Sequence, residues 1–397
     1  MSALGRIASE GVSLPWLDGR QRSVLKHIAD CHTARSGGNL LSCECGHSEI
    51  HYNSCRDRHC PLCQGAARAR WVEARLSELL PCPYFHVVFT VPHELLSLAL
   101  GNRRTFYATL FACVQETLLA VCGNPENLGG RVGGMSVLHT WNQKLGFHPH
   151  IHCIIPGGGI SPDGTRWIAG NPSYLVSVKR LSRVFRGKLL GALEGCRDKT
   201  LLTGDDSAIR IALKKAAGKE FVVYAKSPFG SPAQVVKYLG RYTHRVGISE
   251  QRIQSFEHGL VRFTWIDRAV GHTRKTMILP HEAFVRKFLL HVLPKGFRKI
   301  RYFGYMGNRD RTESIARVRE LIERSGCAVP LGATTNSEEH PVETMPLSMP
   351  EHVCPSCGRT MAFERSFDGA ASPGWFKERL EQTRGSPGPI SSKDSAA

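Results

Sequence analysis

The sequence lacks both a long apolar run and an export signal. No uninterrupted apolar stretch in the 397 residues reaches the roughly 18 residues that a membrane-spanning helix requires. The N-terminal segment MSALGRIASEGVSLPWLDGR has neither the charged start nor the apolar core of a secretory signal. We therefore expect a cytoplasmic protein that has no membrane partner.

Acidic residues are scarce relative to basic ones. The chain has 34 Asp and Glu against 52 Lys and Arg, which gives a formal net charge of +18. This balance favours a polyanionic partner, with nucleic acid as the leading candidate, rather than a small-molecule substrate. A hydrophobic content of 42% is ordinary for a globular chain of this length, so a folded core is expected.

The 14 cysteines are unsuited to a disulfide framework, because the cytosol keeps thiols reduced. Their spacing indicates zinc instead. In LLSCECGHSEIHYNSCRDRHCPLCQ, the pair Cys60 and Cys63 forms a C-x-x-C knuckle, and the CxCG turn that begins at Cys43 is typical of the other half of a zinc ribbon. The predicted zinc ligands are Cys43, Cys45, Cys60 and Cys63.

The same segment leaves the zinc ligand set open. The spacing between Cys43 and Cys45 is one residue shorter than in the usual knuckle. Other residues could therefore replace a ligand or bind a second ion, namely Cys31, Cys55 and His59. Near the C-terminus, CPSCG contributes Cys354 and Cys357 as an isolated half-site.

Hydrophobic periodicity predicts an α+β fold. Strand patterns occur at 84–92, 133–143, 148–158, 219–230, 251–267 and 273–280. Helical patterns occur at 64–80, 93–122, 176–195, 231–247 and 281–293, with a break near Gly101. The two strands on either side of KLGF form a predicted hairpin, which favours an antiparallel sheet flanked by helices.

Three regions are predicted from these patterns. Residues 1–80 form a zinc-binding module with its connecting helix, and residues 81–330 form a catalytic domain. Residues 331–397 form a largely disordered tail, because few large apolar residues remain there to offset the entropy of ordering.

Three histidines occur at alternate positions in GFHPHIHCIIPGG. In a β-strand, His148, His150 and His152 would project from the same face. Imidazoles arranged in this way suit a divalent metal ion. A strand whose polar face happens to be rich in histidine is the alternative interpretation of the pattern.

A second cluster of reactive residues lies in QVVKYLGRYTHRVGIS. Tyr238 and Tyr242 are four residues apart, which places both phenols on one face of a helix. Such a helix could simply pack its tyrosines against the sheet. Cationic groups beside a phenol, however, stabilise phenolate and bind phosphate, as a tyrosine that attacks a phosphodiester requires. The surrounding residues, predicted to bind DNA, are Lys237, Arg241, His244 and Arg245.

These motifs, in this order, resemble those of a known family. The cysteine-rich module with NSCRDRHCPLCQGAAR, followed by PYFHVVFTVPHEL, HPHIHCIIPGG and YLGRYTHRVGIS, is similar to the two-tyrosine rolling-circle transposases of bacterial insertion sequences. These are the insertion-sequence-ninety-one family of the HUH endonuclease superfamily. The resemblance runs from Thr33 to Asn308 and implies an HUH-type antiparallel sheet, with His150-Ile151-His152 as the His-hydrophobic-His motif.

The resemblance implies an enzyme that nicks and joins DNA. His150 and His152 would bind Mg²⁺ or Mn²⁺, and Tyr238 or Tyr242 would attack the scissile phosphate to form a 5′-phosphotyrosine. The implied partners are single-stranded and duplex DNA of transposon ends and targets, with the Zn²⁺ module on duplex DNA. A third ligand of the catalytic metal stays open among His148, Gln143, Gln234 and His244.

Two other functions are alternatives. A non-catalytic, zinc-dependent regulator would bind nucleic acid without cleaving a strand. A relaxase or plasmid replication initiator would share the metal and tyrosine chemistry and differ in its biological substrate. The N-terminal zinc module and the tyrosine spacing favour the transposase over the latter.

Overall fold

The computed structural model describes residues 1–226, 234, 240, 247–267, 271–307, 309–328 and 352–369. The helices in these ranges are α1 Ala3–Gly11, α2 Gly19–Asp30, α3 Gln64–Leu76, α4 Leu96–Gly101, α5 Arg103–Gly123, α6 Val178–Asp198, α7 Asp206–Ala217, α8 His281–Leu289 and α9 Arg311–Arg324. The strands are β1 Gly38–Ser42, β2 Ser48–Tyr52, β3 Tyr84–Thr90, β4 Gly133–Trp141, β5 Phe147–Pro156, β6 Gly158–Ile160, β7 Trp167–Ala169, β8 Val223–Lys226, β9 Ile253–Glu257, β10 Leu260–Asp267, β11 Thr273–Pro280, β12 Ile300–Gly304 and β13 Ala362–Phe367. The predicted α+β class is confirmed.

A five-stranded antiparallel sheet lies at the centre of the fold, in the order β12-β4-β5-β3-β8. β4 and β5 are the predicted hairpin, and β3 is the strand predicted from FHVVFTVP. Because side chains alternate along a strand, β5 contributes to two layers. Ile151 and Cys153 belong to the apolar core on one face, whereas Ile154 belongs to the core on the other.

One face of this sheet packs against α5 and α6. Phe106 and Phe111 of α5 and Phe185 of α6 share a core with the sheet residues Ile151 and Cys153. The predicted break near Gly101 is confirmed, since α4 ends there. By length and composition α5 could cross a membrane, but its side chains largely fill this core, as expected of a long internal helix.

The opposite face of the sheet is covered by α3 and α9. Val72 of α3 and Val318 of α9 pack with Met135, Val137 and Ile154 of the sheet. The histidines of β4 and β5 are in phase with these apolar residues, so they project from the same face. The residues concerned are His139, His150 and His152.

A second core lies between the sheet β11-β10-β9 and the helices α1, α2 and α8. Ile28 of α2 packs with Phe263 of β10 and Phe284 of α8 in this core, which Cys60 also joins. The two N-terminal helices, which the sequence patterns did not reveal, therefore pack against the sheet β11-β10-β9 and against α8. The domain boundary at residue 80 stays a prediction.

The turn between β4 and β5 inserts into this second core. Asn142 Oδ1 accepts hydrogen bonds from the backbone N–H groups of Lys144 and Gly146, at 3.0 and 2.8 Å. Leu145 is fully buried there, and its carbonyl accepts a hydrogen bond from Nε2–H of His291 at 3.3 Å. The hairpin that carries the histidines is thus held in the central sheet by its strands and in the second core by its turn.

A third, small sheet joins distant parts of the chain. Its order is β13-β1-β2, and β1 pairs with β13 from Gly38 opposite Phe367 to Ser42 opposite Ala362. The remainder of the tail that was predicted to be disordered lies outside the described residues.

Candidate active site and metal centres

Three histidines from two adjacent strands form one cluster. His139, His150 and His152 each place a ring nitrogen within 4.8 Å of the other two. His139 and His152 are buried, and His150 is half-buried. Three imidazoles that converge in this way fit a divalent transition-metal ion better than Mg²⁺, which prefers oxygen ligands.

The strand register brings the three rings together. His139 lies directly opposite His150 across β4 and β5, and Val137 lies opposite His152. Residues that face each other in this way have Cβ atoms about 4.5–5.5 Å apart. The cluster is therefore a direct product of the antiparallel pairing.

Hydrogen bonds orient two of these rings. His150 Nδ1 lies 2.7 Å from the carbonyl oxygen of His148, which identifies Nδ1–H as the donor and Nε2 as the nitrogen that carries the lone pair. His152 Nδ1 lies 2.8 Å from Nε2 of the buried His86, and the two rings stack with centroids 5.0 Å apart. A proton on His152 Nδ1, donated to His86, makes Nε2 the metal-binding nitrogen of His152 as well.

The third imidazole comes from a residue that the sequence motifs did not indicate. His139 stands in HTW on β4, and only its cross-strand pairing with His150 reveals its position. His148, by contrast, is outside the cluster, and burial lowers the pKa of its ring.

The other candidates for a third ligand have different surroundings. Gln143 lies in the β4–β5 turn, where its carbonyl accepts a hydrogen bond from Arg252. Gln234 is helical and exposed. His244 lies outside the described residues.

Ring contacts and a hydrogen bond support the histidine cluster on one side. His139 stacks on Trp141 with centroids 4.7 Å apart, and the Trp141 ring lies 6.0 Å from His291. His291 Nδ1 accepts a hydrogen bond from the Thr140 hydroxyl at 3.2 Å. Burial lowers the pKa of His291 to about 4, so this ring stays neutral near neutral pH.

The predicted nucleophiles and DNA-binding residues lie outside the described residues. They are Tyr238, Tyr242, Lys237, Arg241, His244 and Arg245. Two glycines beside them are described. A Cβ added at the buried Gly240 would overlap Cγ2 of Val72 on α3, and a Cβ added at Gly247 would lie 3.0 Å from Cδ2 of Leu145. On both sides of position 242, the chain therefore contacts elements that hold or cover the histidine cluster.

A second cluster contains four sulfurs. Cys31, Cys55, Cys60 and Cys63 place their Sγ atoms within 4.8 Å of one another, and the Sγ atoms of Cys55 and Cys63 are 3.7 Å apart. Thiolates bound tetrahedrally to zinc at about 2.3 Å are about 3.8 Å from each other. The cluster therefore fits a structural zinc ion.

The loop RDRHCPLC fastens this cluster to the protein core. His59 Nδ1–H donates to Asp57 at 2.8 Å, and His59 Nε2 accepts the backbone N–H of Leu293 at 3.0 Å. Burial opposes ionisation of Asp57, but the hydrogen bonds from His59 and His27 hold the pKa of its carboxyl well below the usual range. His59, an alternative zinc ligand in the sequence, is thus part of a hydrogen-bond network instead.

Cys43 and Cys45 lie elsewhere. Their Sγ atoms cluster with those of Cys354 and Cys357. The predicted grouping of Cys43 and Cys45 with Cys60 and Cys63 is therefore corrected: the four sulfurs divide between two clusters, and each pair is completed by distant cysteines. Spacing along the chain could not reveal this pairing, because it depends on how β1 meets β13.

Two family models match the chain. One described as "Transposase zinc-binding domain" matches residues 12–91, and one described as "Putative transposase" matches residues 133–313. The chain is 44% identical over 368 residues to "Putative transposase y4qJ" of Sinorhizobium fredii, which covers 89% of this chain and 91% of the relative. It is 28% identical over 370 residues to "Transposase for insertion sequence element IS801" of Pseudomonas savastanoi pv. phaseolicola, which covers 89% and 85%.

This chain belongs to the IS91/IS801-type transposases. The match to the zinc-binding domain contains the whole cluster of Cys31, Cys55, Cys60 and Cys63. The transposase match contains all three clustered histidines. Membership implies a DNA endonuclease and strand-transfer activity, and it makes DNA the partner that the basic composition favours.

Proposed function

We propose that this transposase nicks and rejoins single-stranded DNA at the ends of an insertion sequence, through a 5′-phosphotyrosine, in rolling-circle transposition. The observation that carries the proposal is the convergence of His139, His150 and His152 on one face of an antiparallel sheet. α3 covers that face and also contacts Gly240, which lies between the two predicted nucleophiles.

The three histidines would hold a divalent ion, Mn²⁺ or Mg²⁺. When bound, it would polarise a non-bridging oxygen of the scissile phosphate. The residues around them fix their ring orientations: the His148 carbonyl holds His150, His86 holds His152 and Trp141 stacks on His139. Three protein ligands leave coordination positions for water and DNA, as expected of a catalytic rather than a structural site.

Tyr238 and Tyr242 would supply the nucleophiles. The phenol oxygen attacks phosphorus and gives up its proton to solvent. The P–O3′ bond breaks, and the 3′ oxygen takes up a proton and leaves as a hydroxyl. Because the new phosphodiester conserves the bond energy, attack by a 3′-hydroxyl reverses the step without ATP.

A basic cleft along the edge strand β12 offers phosphate contacts. Arg104, Arg298 and Arg301 line a cavity of about 390 Å³ together with Phe297 and Tyr302. The Arg301 guanidinium lies 5.2 Å from the centre of the Phe297 ring, and burial lowers its pKa. Arginines interleaved with aromatic rings are typical of surfaces that bind nucleic acid. We assign this cleft as a binding site for the phosphates of the DNA backbone.

Lys237, Arg241, His244 and Arg245 stay predicted contacts nearer the nucleophiles. The Zn²⁺ module would bind duplex DNA near the end of the element. We propose a cytoplasmic, nucleoid-associated location, because these partners are DNA.

Covalent trapping tests the proposed chemistry. Purified protein would be incubated with Mn²⁺ and labelled single strands from both ends of the element, and the products separated in SDS. We expect a denaturant-resistant protein–DNA adduct that EDTA prevents and that the double variant Tyr238→Phe/Tyr242→Phe lacks. Tight binding of the same strands without any adduct would make the protein a regulator instead. An adduct that survives the double substitution would place the nucleophile elsewhere.

A further inference from the structure

We infer that Cys43, Cys45, Cys354 and Cys357 bind a second structural zinc ion, which fastens the C-terminal segment 352–369 to the N-terminal sheet. The Sγ atoms of Cys43 and Cys357 are 3.4 Å apart, and those of Cys45 and Cys354 are 3.6 Å apart. A disulfide requires about 2.05 Å. Zinc-bound thiolates are about 3.8 Å from each other, since each Zn–S bond is about 2.3 Å. The spacing therefore fits a metal-thiolate site rather than a disulfide.

The two half-sites are related turns, the second one residue longer than the first. In the first, the N–H of Gly46 donates to the Cys43 carbonyl at 2.9 Å, and in the second the N–H of Gly358 donates to the Cys354 carbonyl at 2.9 Å. Gly46 has a φ of +88° and Gly358 a φ of +73°, which glycine adopts readily. Two glycine-containing turns thus bring four sulfurs together, as in a zinc ribbon whose halves come from distant parts of the chain.

Apart from the β1–β13 pairing, the junction has only a small apolar core. Apart from the cysteines, its buried apolar cluster contains only Leu41 and Met361 among the described residues. The ion pair between Arg359 and Glu44, at 3.0 Å, is exposed, and such pairs contribute about 0–1 kcal/mol. In so small a core, the free energy of zinc binding is available as free energy of folding. Four thiolates also leave no open position, so the ion would be structural.

The site has a consequence for the zinc-binding domain. The β1–β2 hairpin carries Cys43 and Cys45 at its turn, while Cys31 and Cys55 flank its two strands and belong to the other sulfur cluster. The hairpin is therefore held by one metal site at each end. The match to the zinc-binding domain ends at residue 91, so the chain beyond residue 351 completes a metal site that this domain begins.

Metal content of the full chain tests this inference. We expect Cys354→Ser/Cys357→Ser to contain one zinc ion per chain fewer than the wild type. The matched control Cys196→Ser, at a half-buried cysteine outside both clusters, should keep the wild-type zinc content. An unchanged zinc content in the double variant would overturn the inference.

Thiol alkylation of the wild-type protein gives an answer that does not depend on whether a variant folds. Cys45, Cys357 and Cys327 are all exposed, but only the first two belong to the proposed site. Under reducing conditions that exclude disulfides, we expect a maleimide to modify Cys327 rapidly and to leave Cys45 and Cys357 unmodified until a chelator removes zinc. Equal reactivity of all three thiols before chelation would show that no metal binds there.

Discussion

His139 on β4 lies directly opposite His150 on β5, and the two rings are 5.4 Å apart between centroids. The motif His150-Ile151-His152 thus provides two imidazoles from one strand, and the hairpin partner of that strand provides the third. His148, two residues before His150, contributes its carbonyl oxygen to the site rather than its ring. The structure therefore distinguishes His148 from His150 and His152, although the alternating sequence pattern presents the three as equivalent.

Removing the third imidazole should abolish metal-dependent cleavage. In His139→Ala we expect adduct formation to fall by more than about 100-fold, the upper end of the loss typical of an outer-shell residue. DNA binding should be largely retained, because Lys and Arg contacts to phosphates supply most non-specific affinity. Adduct yield and fluorescence anisotropy with the same oligonucleotide would measure the two effects.

His148→Ala is the matched control, since alanine keeps the backbone carbonyl that orients His150. We expect it to cleave within a few-fold of the wild type. A fully active His139→Ala variant, or a His148→Ala variant as defective as His139→Ala, would contradict the assignment of the third ligand.

His86 should act as a positioning residue, because it contacts His152 and lies outside the three-histidine cluster. Replacing it by Phe keeps a ring of similar size but removes the nitrogen that bonds His152. We expect the Mn²⁺ concentration for half-maximal cleavage to rise about 10–100-fold, with a similar rate at saturating Mn²⁺. His86→Gln, which keeps a polar atom, should restore part of the affinity. A rate that stays low at every Mn²⁺ concentration would indicate structural damage instead.

The sequence predicted four of the five strands of the central sheet and missed the edge strand β12, because the signals it contains are local. β3 and β5 carry strong apolar patterns, and a short turn joins β4 to β5, so the hairpin and the antiparallel order follow from neighbouring residues. The shared face of His150 and His152 follows equally from strand alternation.

What the sequence could not provide depends on distant pairing. The role of His139 requires the register between β4 and β5, which the turn and its anchoring in the second core determine. Cys45 and Cys354 are separated by 309 residues, so no spacing rule connects them. α2 has few buried apolar residues, and its partners Phe263 and Phe284 lie far along the chain. Its amphipathic pattern is therefore short and weak.

The basic cleft at β12 should contribute to the salt dependence of DNA binding. Arg104→Ala/Arg298→Ala removes two exposed cations of the cleft without touching the histidines. If each contacts a phosphate, the slope of log K against log salt should become shallower by about 0.7 for each residue on single strands. Affinity should fall similarly for all sequences. Arg210→Ala, which removes an exposed arginine of α7, is the control and should leave the slope unchanged.

Acid should destabilise the fold through His291. Burial lowers its pKa from 6.5 to about 4, so between these values the unfolded chain binds a proton that the folded chain does not. The contribution of neutral His291 to the free energy of unfolding is therefore fully present above about pH 6.5 and is lost as the pH falls toward 4. Between neutral pH and pH 5 the free energy of unfolding should fall by about 2 kcal/mol. Urea unfolding at the two pH values would measure the loss.

The variant His291→Gln isolates this contribution, since glutamine does not titrate. Its unfolding free energy should be lower at neutral pH, but should change less between neutral pH and pH 5. A residual slope is expected from His59, whose pKa burial also lowers. An identical pH dependence in wild type and variant would show that His291 is not the group responsible.

The contact between Gly240 and α3 offers a test of how the tyrosine segment is positioned. An added Cβ at position 240 would overlap Cγ2 of Val72, so Gly240→Ala must displace the Val72 side chain, α3 or the backbone at position 240. A shift of about 1 Å at a reacting group can cost about 100-fold in rate. We expect Gly240→Ala to reduce adduct formation by at least about 10-fold.

Val72→Ala removes the overlapping methyl group, so the pair Gly240→Ala/Val72→Ala should recover much of the activity, although the cavity left by Val72 lowers stability. Adduct yields and melting temperatures of both single variants and the pair would separate positioning from stability. If the pair is no more active than Gly240→Ala while melting at a similar temperature, this contact does not position the nucleophiles.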